Sequence, residues 1–266
     1  MMKICMAGAC GRMGRRILEL AAAESDIEVG GAFDVPEMAG TEVVYGMESG
    51  NANKILVSDN AAAEIAKADA MIDFTAPVAC MTNVRLATEA DKPSIIGTTG
   101  LTPEHRAEIG EMARRVPIVL APNMSVGVNL LFKLTAQVAA ILGLDYNVEI
   151  VEVHHNQKKD SPSGTAVRLA ECAAEALGLD YAKDAVHGRE GMVGARPMRE
   201  IGMHAVRGGD VVGEHTVAFI GKGERVELVH KAHNRDNFAC GALIAARFAV
   251  KARPGLYDMQ DVLGLR

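Results

Sequence analysis

The sequence predicts an α/β protein: a doubly wound parallel sheet in the first half and a second domain of α+β type after it. Three observations predict this. An apolar run, a glycine turn, an amphipathic helix, a second apolar run and an acid all fit within the first 35 residues. Short apolar runs then alternate with helical patterns as far as residue 121, the rhythm of a parallel sheet. Near residue 126 that rhythm gives way to a longer helix and, later, paired strands. The 266 residues suit two domains at roughly 150 residues each.

The elements follow in order. Residues 3–7 read as a buried strand that runs into Gly8, Ala9, Cys10, Gly11, Arg12, Met13 and Gly14. Met13, Ile17, Leu18 and Leu20 give the next helix its apolar side, and Ser25-Asp26 breaks it. Residues 27–33 read as the second strand of a βαβ unit, with Asp34 at its end. Helices are expected over 61–67, 78–89 and 102–115, the last with Thr102 as N-cap and Pro103 in its first turn. Strands are expected over 70–74, 93–96 and 117–121. Beyond residue 126, helices are expected over 128–142 and 164–177, the second closed by Gly178, with a strand over 148–153 between them. Residues 180–215 are Gly-rich and polar, with no strong period, and the Arg and Gly of 180–205 suit a mobile flap or an interface arm. Residues 211–220 and 225–233 read as a strand pair joined at Gly221-Lys222-Gly223-Glu224, and a last helix runs over 236–251.

Composition removes several function classes. Lys+Arg 28 against Asp+Glu 34 gives a net charge of -6, so no broad basic face for nucleic acid or a membrane surface is expected. Aromatic residues are 4% and Trp is absent, which argues against stacking platforms for single strands or sugars. The cysteines (Cys5, Cys10, Cys80, Cys172 and Cys240) are odd in number and scattered, without a C-x-x-C pair. Neither a disulfide framework nor a zinc knuckle is expected. No run of 18 apolar residues and no signal peptide is read in the chain, so a cytoplasmic location and no membrane span are expected.

Two motifs carry chemistry. Gly8, Gly11 and Gly14 stand between a strand and a helix as G-x-x-G-x-x-G, and Asp34 follows 20 residues after Gly14. A dinucleotide needs this arrangement: a tight turn, backbone N–H groups near the pyrophosphate at a helix start, and an acid for the ribose hydroxyls. A glycine turn serving only helix packing is the plainer alternative. The second motif is His154-His155-Asn156-Gln157-Lys158-Lys159, leading through Ser161-Pro162 to Ser163-Gly164-Thr165 at a helix start. It is a local positive site in an acidic chain, with a proton-transfer residue beside backbone donors for an anion. A solvated polar loop capped by Ser163 would use the same residues. A metal site is not expected, because no H-E-x-x-H and no third ligand at a telling spacing accompany the histidines. Gly97-Thr98-Thr99-Gly100, at the end of a core strand, could pass close to a nicotinamide or be an ordinary loop.

Together these segments resemble the 4-hydroxy-tetrahydrodipicolinate reductase (dihydrodipicolinate reductase) family across nearly the whole chain. The most specific stretch is EVHHNQKKDSPSGTA, residues 152–166; AGACGRMG, IDFT, GTTG, APNMSVGVN, GEHTV and GLYDMQDVL match in the same order. The resemblance implies that His154 is the acid/base, that Lys158 donates a proton, and that His155, Gly164 and Thr165 bind substrate carboxylates. It implies cofactor contacts at Gly8, Ala9, Cys10, Gly11, Arg12, Met13, Asp34, Gly97, Thr98, Thr99, Ala121, Pro122, Asn123 and Met124. It also implies a Rossmann domain over 1–125 and 236–266, a substrate-binding and oligomerisation domain on a mixed sheet over 126–235, and a homotetramer. The implied reaction is NADH- or NADPH-dependent reduction of a small cyclic dicarboxylate with loss of water, in the diaminopimelate route to lysine.

One position departs from some relatives. Val35 and Pro36 follow Asp34, where a basic residue would meet the 2′-phosphate of NADPH. A modest preference for NADH is therefore expected, with activity on both cofactors because Arg12, Arg15 and Arg16 are expected near the same pocket. A semialdehyde or homoserine dehydrogenase is the rival enzyme, but Cys80, Cys172 and Cys240 all fall in expected helices rather than in a nucleophile's loop. A non-catalytic nucleotide sensor would not need His154, Lys158 and an anion-binding helix start together.

Overall fold

Strands with two buried faces read as continuous apolar runs, and β1 (Met2–Ala7) is one. Its alternate residues point to opposite sides: Ile4 and Met6 enter one core, Cys5 and Ala7 another. A computed structural model describes residues 1–50 and 52–266 of the chain. The remaining elements of the first half are α1 (Arg12–Ala21), β2 (Ile27–Phe33), β3 (Glu42–Tyr45), β4 (Asn53–Leu56), α2 (Ala61–Ala66), β5 (Ala70–Asp73), α3 (Pro77–Glu89), β6 (Ser94–Ile96), α4 (Pro103–Met112) and β7 (Pro117–Leu120). The second half holds α5 (Val126–Leu142), β8 (Asn147–His154), α6 (Gly164–Leu177), α7 (Tyr181–Asp184), β9 (Ala185–His187), β10 (Ile201–Arg207), β11 (Gly213–Ile220), β12 (Arg225–Ala232), α8 (Asp236–Ala249), β13 (Gly255–Tyr257) and α9 (Met259–Val262).

The chain divides into two compact units, Met1–Val126 with Arg235–Arg266, and Gly127–Asn234. The first is built on a six-stranded parallel sheet in the order β13-β7-β6-β5-β1-β2. Ile17 and Leu18 of α1 and Ala239, Ala242 and Leu243 of α8 pack on one face. Ile65 of α2, Cys80 and Val84 of α3 and Ile109 of α4 pack on the other. Helices on both faces make this a Rossmann-type doubly wound unit. The return of α8 is anchored by Arg16, whose guanidinium pairs with Asp236, and by Arg247, which pairs with Glu24 and Asp26.

The second unit is a five-stranded mixed sheet in the order β12-β11-β8-β10-β9. β10 lies parallel to β8 and β9, whereas β11 is antiparallel to β8 and β12. Residues alternate along β8: Val148, Ile150, Glu152 and His154 are buried, and Leu131, Phe132, Leu169 and Phe219 share the core with the first two. Val126–Asp145 is long and apolar enough to cross a membrane by length and composition alone, yet its Val128, Leu131, Phe132 and Ala139 belong to this core.

The structure departs from the sequence expectations in three places. Residues 201–207, inside the stretch read as irregular, form β10, an interior strand of the second sheet. In the segment before it, Arg189 and Arg196 both pair with Glu149 and with Glu200. The hairpin β3–β4 and the edge strand β13 were not expected, being only four and three residues long.

Candidate active site

The glycine turn joins β1 to α1. Gly8 has φ +79, a left-handed conformation that favours glycine, and a Cβ on Gly14 would lie 2.1 Å from the Gly8 carbonyl oxygen. The chain therefore folds tightly here and α1 starts close to the sheet. Gly11 caps α1 without a side-chain hydrogen bond, so no N-cap side chain occupies the first-turn N–H groups. Asp34 stands beside the turn. One carboxylate oxygen accepts the Cys10 N–H at 2.8 Å and the other accepts the Val35 N–H at 2.8 Å.

A cavity of about 800 Å³ opens at this end of the sheet, lined by Gly8, Gly11, Asp34, Val35, Asp59, Asn60, Phe74 and residues of α3. A second cavity of about 300 Å³, sharing Phe74, is lined by Met13, Gly97, Thr99, Ala121, Pro122, Asn123, Met124, Arg235 and Phe238. These are sizes suited to a nucleotide and a smaller ring, both at the carboxyl ends of parallel strands. The cradle, the acid and the two cavities fit a dinucleotide.

Thr98, Arg15 and Arg16 have partners within the chain. Thr98 turns inward and donates to Asp73 at 2.7 Å. Arg12, Arg15 and Arg16 line a groove with Glu19 and Glu48; Arg16 is held by Asp236 and Glu48, and Arg15 donates to the carbonyl of Cys10, whose N–H is bound by Asp34. Ala9 is fully buried. A residue missed from sequence is Asp73, fully buried at the end of β5. It accepts from Asn83, Thr98 and both the N–H and hydroxyl of Thr75, and so pins the loops after β5 and β6.

In the second unit, β8 delivers His154 at its carboxyl end. The His154 Nδ1 lies 2.6 Å from Glu152 Oε2. Glu152 is 1% exposed and also accepts both arms of Arg207, at 2.7 and 2.8 Å, and the Ser163 N–H at 3.0 Å. Arg207 and His154 hold the Glu152 carboxyl below the ordinary glutamate range despite burial. Burial pushes His154 down, and Glu152 opposes that only in part. Ser163 caps α6 by accepting the Ala166 N–H at 3.1 Å, so Gly164 and Thr165 occupy the first turn of a fourteen-residue helix. Its hydroxyl lies 2.9 Å from His215 Nε2, and the His215 ring stands edge-on to His154 at 5.2 Å. Lys158 pairs with Asp160 at 2.9 Å. His155 is fixed through its main chain, its N–H donating to Val211 at 2.8 Å.

Glu152, Arg207 and His215 were not singled out from the sequence as site residues. The signal that could have found Glu152 is its spacing: two residues before His154 on a strand, it shares the same face. Among the described residues no group of three or more His, Cys, Asp or Glu side chains is arranged to hold a metal ion.

The fold and site define an oxidoreductase with a Rossmann-type nucleotide-binding unit and a second unit in which a histidine, a lysine and a Ser163-capped helix start share one stretch of chain. The N-terminal model of dihydrodipicolinate reductase matches residues 2–124 and the C-terminal model matches 127–263. The chain belongs to the dihydrodipicolinate reductase family. It is 52% identical over the full length of both chains to the 4-hydroxy-tetrahydrodipicolinate reductases of Citrifermentans bemidjiense and Geobacter sulfurreducens. A solved structure of dipicolinate-bound dihydrodipicolinate reductase from Paenisporosarcina sp. TG-14 is 26% identical, with TM-score 0.78 and 98% of each chain covered.

The buried histidine makes stability depend on pH. Burial lowers the folded pKa of His215 from 6.5 to about 3, so its neutral form is the one that stabilises. That contribution is complete above pH 6.5 and is lost as pH falls toward 3. Urea unfolding should give about 2 kcal/mol less stability at pH 5 than at pH 7 from this group, and His215→Gln should flatten the slope.

Proposed function

We propose that the chain reduces 4-hydroxy-tetrahydrodipicolinate to tetrahydrodipicolinate in the diaminopimelate route to lysine: a hydride and a proton enter, and the 4-hydroxyl leaves as water. One observation carries the reading. A histidine held by a buried carboxylate ends the strand that leads through Lys158 to the α6 start, in a chain 52% identical to proteins named for this reaction.

Bound NADH or NADPH supplies the hydride. The residues of the chain bind, orient and move protons. Lys158 and the N–H groups of Gly164 and Thr165 take the substrate carboxylates, with His155 beside them. His154 Nε2 and Lys158 Nζ are the proton carriers. In the first unit the turn from Gly8 to Met13 takes the pyrophosphate, Asp34 takes the adenosine ribose hydroxyls, and the cavity with Gly97, Thr99 and Ala121–Met124 takes the nicotinamide. Replacing His154 by Gln, or Lys158 by Ala, should lower kcat by roughly 10²–10⁴-fold, the range of general acid–base catalysis. The Kd for NADH, read by calorimetry, should stay within about twofold of the wild-type value; near-normal turnover in either variant refutes its assignment.

The cofactor preference follows from charge. Asp34 and Asp59 both line the larger cavity, and among the described residues its lining includes no Lys or Arg. Two carboxylates there disfavour a 2′-phosphate. NADH should bind several-fold more tightly than NADPH in calorimetry, and Asp59→Arg should narrow the gap; tighter binding of NADPH to the unaltered chain contradicts this.

The remaining proposals are a cytoplasmic location, supported by free cysteines at Cys5, Cys10, Cys80, Cys172 and Cys240, and a homotetramer. The second sheet supports the tetramer: Val206 of β10 and Val229 of β12, on one face of the sheet, are 47% and 50% exposed. Light scattering should report four chains, and Val206→Asp with Val229→Asp should reduce that mass; a monomer at micromolar concentration rules the tetramer out.

A further inference from the structure

We propose that Glu152 is a positioning residue that joins the proton-transfer and anion-binding parts of the substrate site, fixing the ring of His154 and the start of α6 through one buried carboxylate. The proposal rests on the reading of His154 as the acid/base.

Glu152 sits where the alternation of β8 calls for an apolar side chain, in line with Val148 and Ile150. A charge in that place is costly unless it is fully paired. Its two oxygens have four donors: His154 Nδ1 and one Arg207 nitrogen on Oε2, the other Arg207 nitrogen and the Ser163 N–H on Oε1. Charge compensation alone needs only Arg207. The other two donors belong to the acid/base histidine and to the N-cap of α6. Arg207 extends the same link, since it also donates to the Asp160 carbonyl at 2.9 Å, two residues after Lys158. One carboxylate thus touches His154 and Ser163 directly and, through Arg207, the loop at Asp160 between them.

The geometry fixes a tautomer. Glu152 faces Arg207 and is ionised, so its oxygens only accept. The proton of neutral His154 must then lie on Nδ1, which leaves Nε2 as the basic nitrogen. β11 leaves room for that atom: a Cβ on Gly213 would come within 2.9 Å of His154 Nε2. The groups that face the imidazole are Glu152 on β8, Arg207 on β10, His215 on β11 and Lys158 on the loop after β8.

The test is Glu152→Gln, which keeps the shape and removes the charge. Turnover should fall about 10²-fold, within the range expected when an acid or base is mispositioned. The acid limb of the kcat/KM pH profile should move to lower pH, because His154 loses its anionic partner. The KM for the dicarboxylate should rise as the Ser163 anchor weakens, while the Kd for NADH stays within about twofold of wild type. Glu152→Asp should recover part of the turnover. A purely structural role would not move the pH profile. The ¹⁵N spectrum of the unaltered protein with labelled histidine gives a reading that does not depend on the variant folding: neutral His154 should carry its proton on Nδ1. A proton on Nε2, or an unshifted pH profile with wild-type turnover in Glu152→Gln, overturns the proposal. Near-normal turnover in His154→Gln overturns the acid/base reading instead and leaves the tautomer result standing.

Discussion

Three carboxylates at or near the carboxyl ends of strands hold the loops on which function depends. Asp34, just after β2, binds the Cys10 and Val35 N–H groups and so fastens the glycine turn. Asp73, ending β5, gathers Thr75, Asn83 and Thr98 and so fastens the loops around the smaller cavity. Glu152, near the end of β8, holds His154, Arg207 and the start of α6. Hydrogen bonds to an ionised acceptor contribute about 1.5–3 kcal/mol each, more than neutral ones. Each acid thus adds charge-assisted hydrogen bonds to a loop at the strand ends, where an α/β sheet binds its ligands.

The same chemistry divides the chain electrostatically. In the first unit Asp34 and Asp59 both line the larger cavity, and among the described residues its lining includes no Lys or Arg. In the second unit the acid is buried and fully paired, and Lys158, Lys159 and Asp160 follow it in the loop between β8 and α6, with Lys158 paired to Asp160. A net charge of -6 is therefore compatible with a small dianionic substrate. It bears on large polyanions, which would meet the whole surface, and not on a ligand that meets one helix start.

The first unit was largely legible because its signals are local. The alternation of apolar runs with helices, Gly8 with positive φ, and Asp34 at a fixed distance all lie within short windows. What could not be read depends on pairing between distant segments. β10 is hidden by glycines on both sides and a polar second half, and it becomes a strand because Ile201 and Met203 pack in register with Val148 and Ile150 of β8. Asp73 and Glu152 were missed for a related reason. An acid in a strand reads as a solvent-facing residue, and only the tertiary fold brings Asn83 or Arg207 to make its burial tolerable. The histidines and Lys158 were singled out from sequence; the partner that orients His154, two residues before it on the same face of β8, was not.

Under the proposed function, Glu152-held His154, Lys158 and the α6 start form one dicarboxylate site. A crystal structure with NADH and pyridine-2,6-dicarboxylate bound tests it most directly. One ligand carboxylate should lie on the Gly164 and Thr165 N–H groups, Lys158 Nζ should move from Asp160 to the ligand, and His154 Nδ1 should stay on Glu152 with Nε2 toward the ring. A dicarboxylate seated away from α6, or a His154 ring turned off Glu152 in that complex, would contradict it.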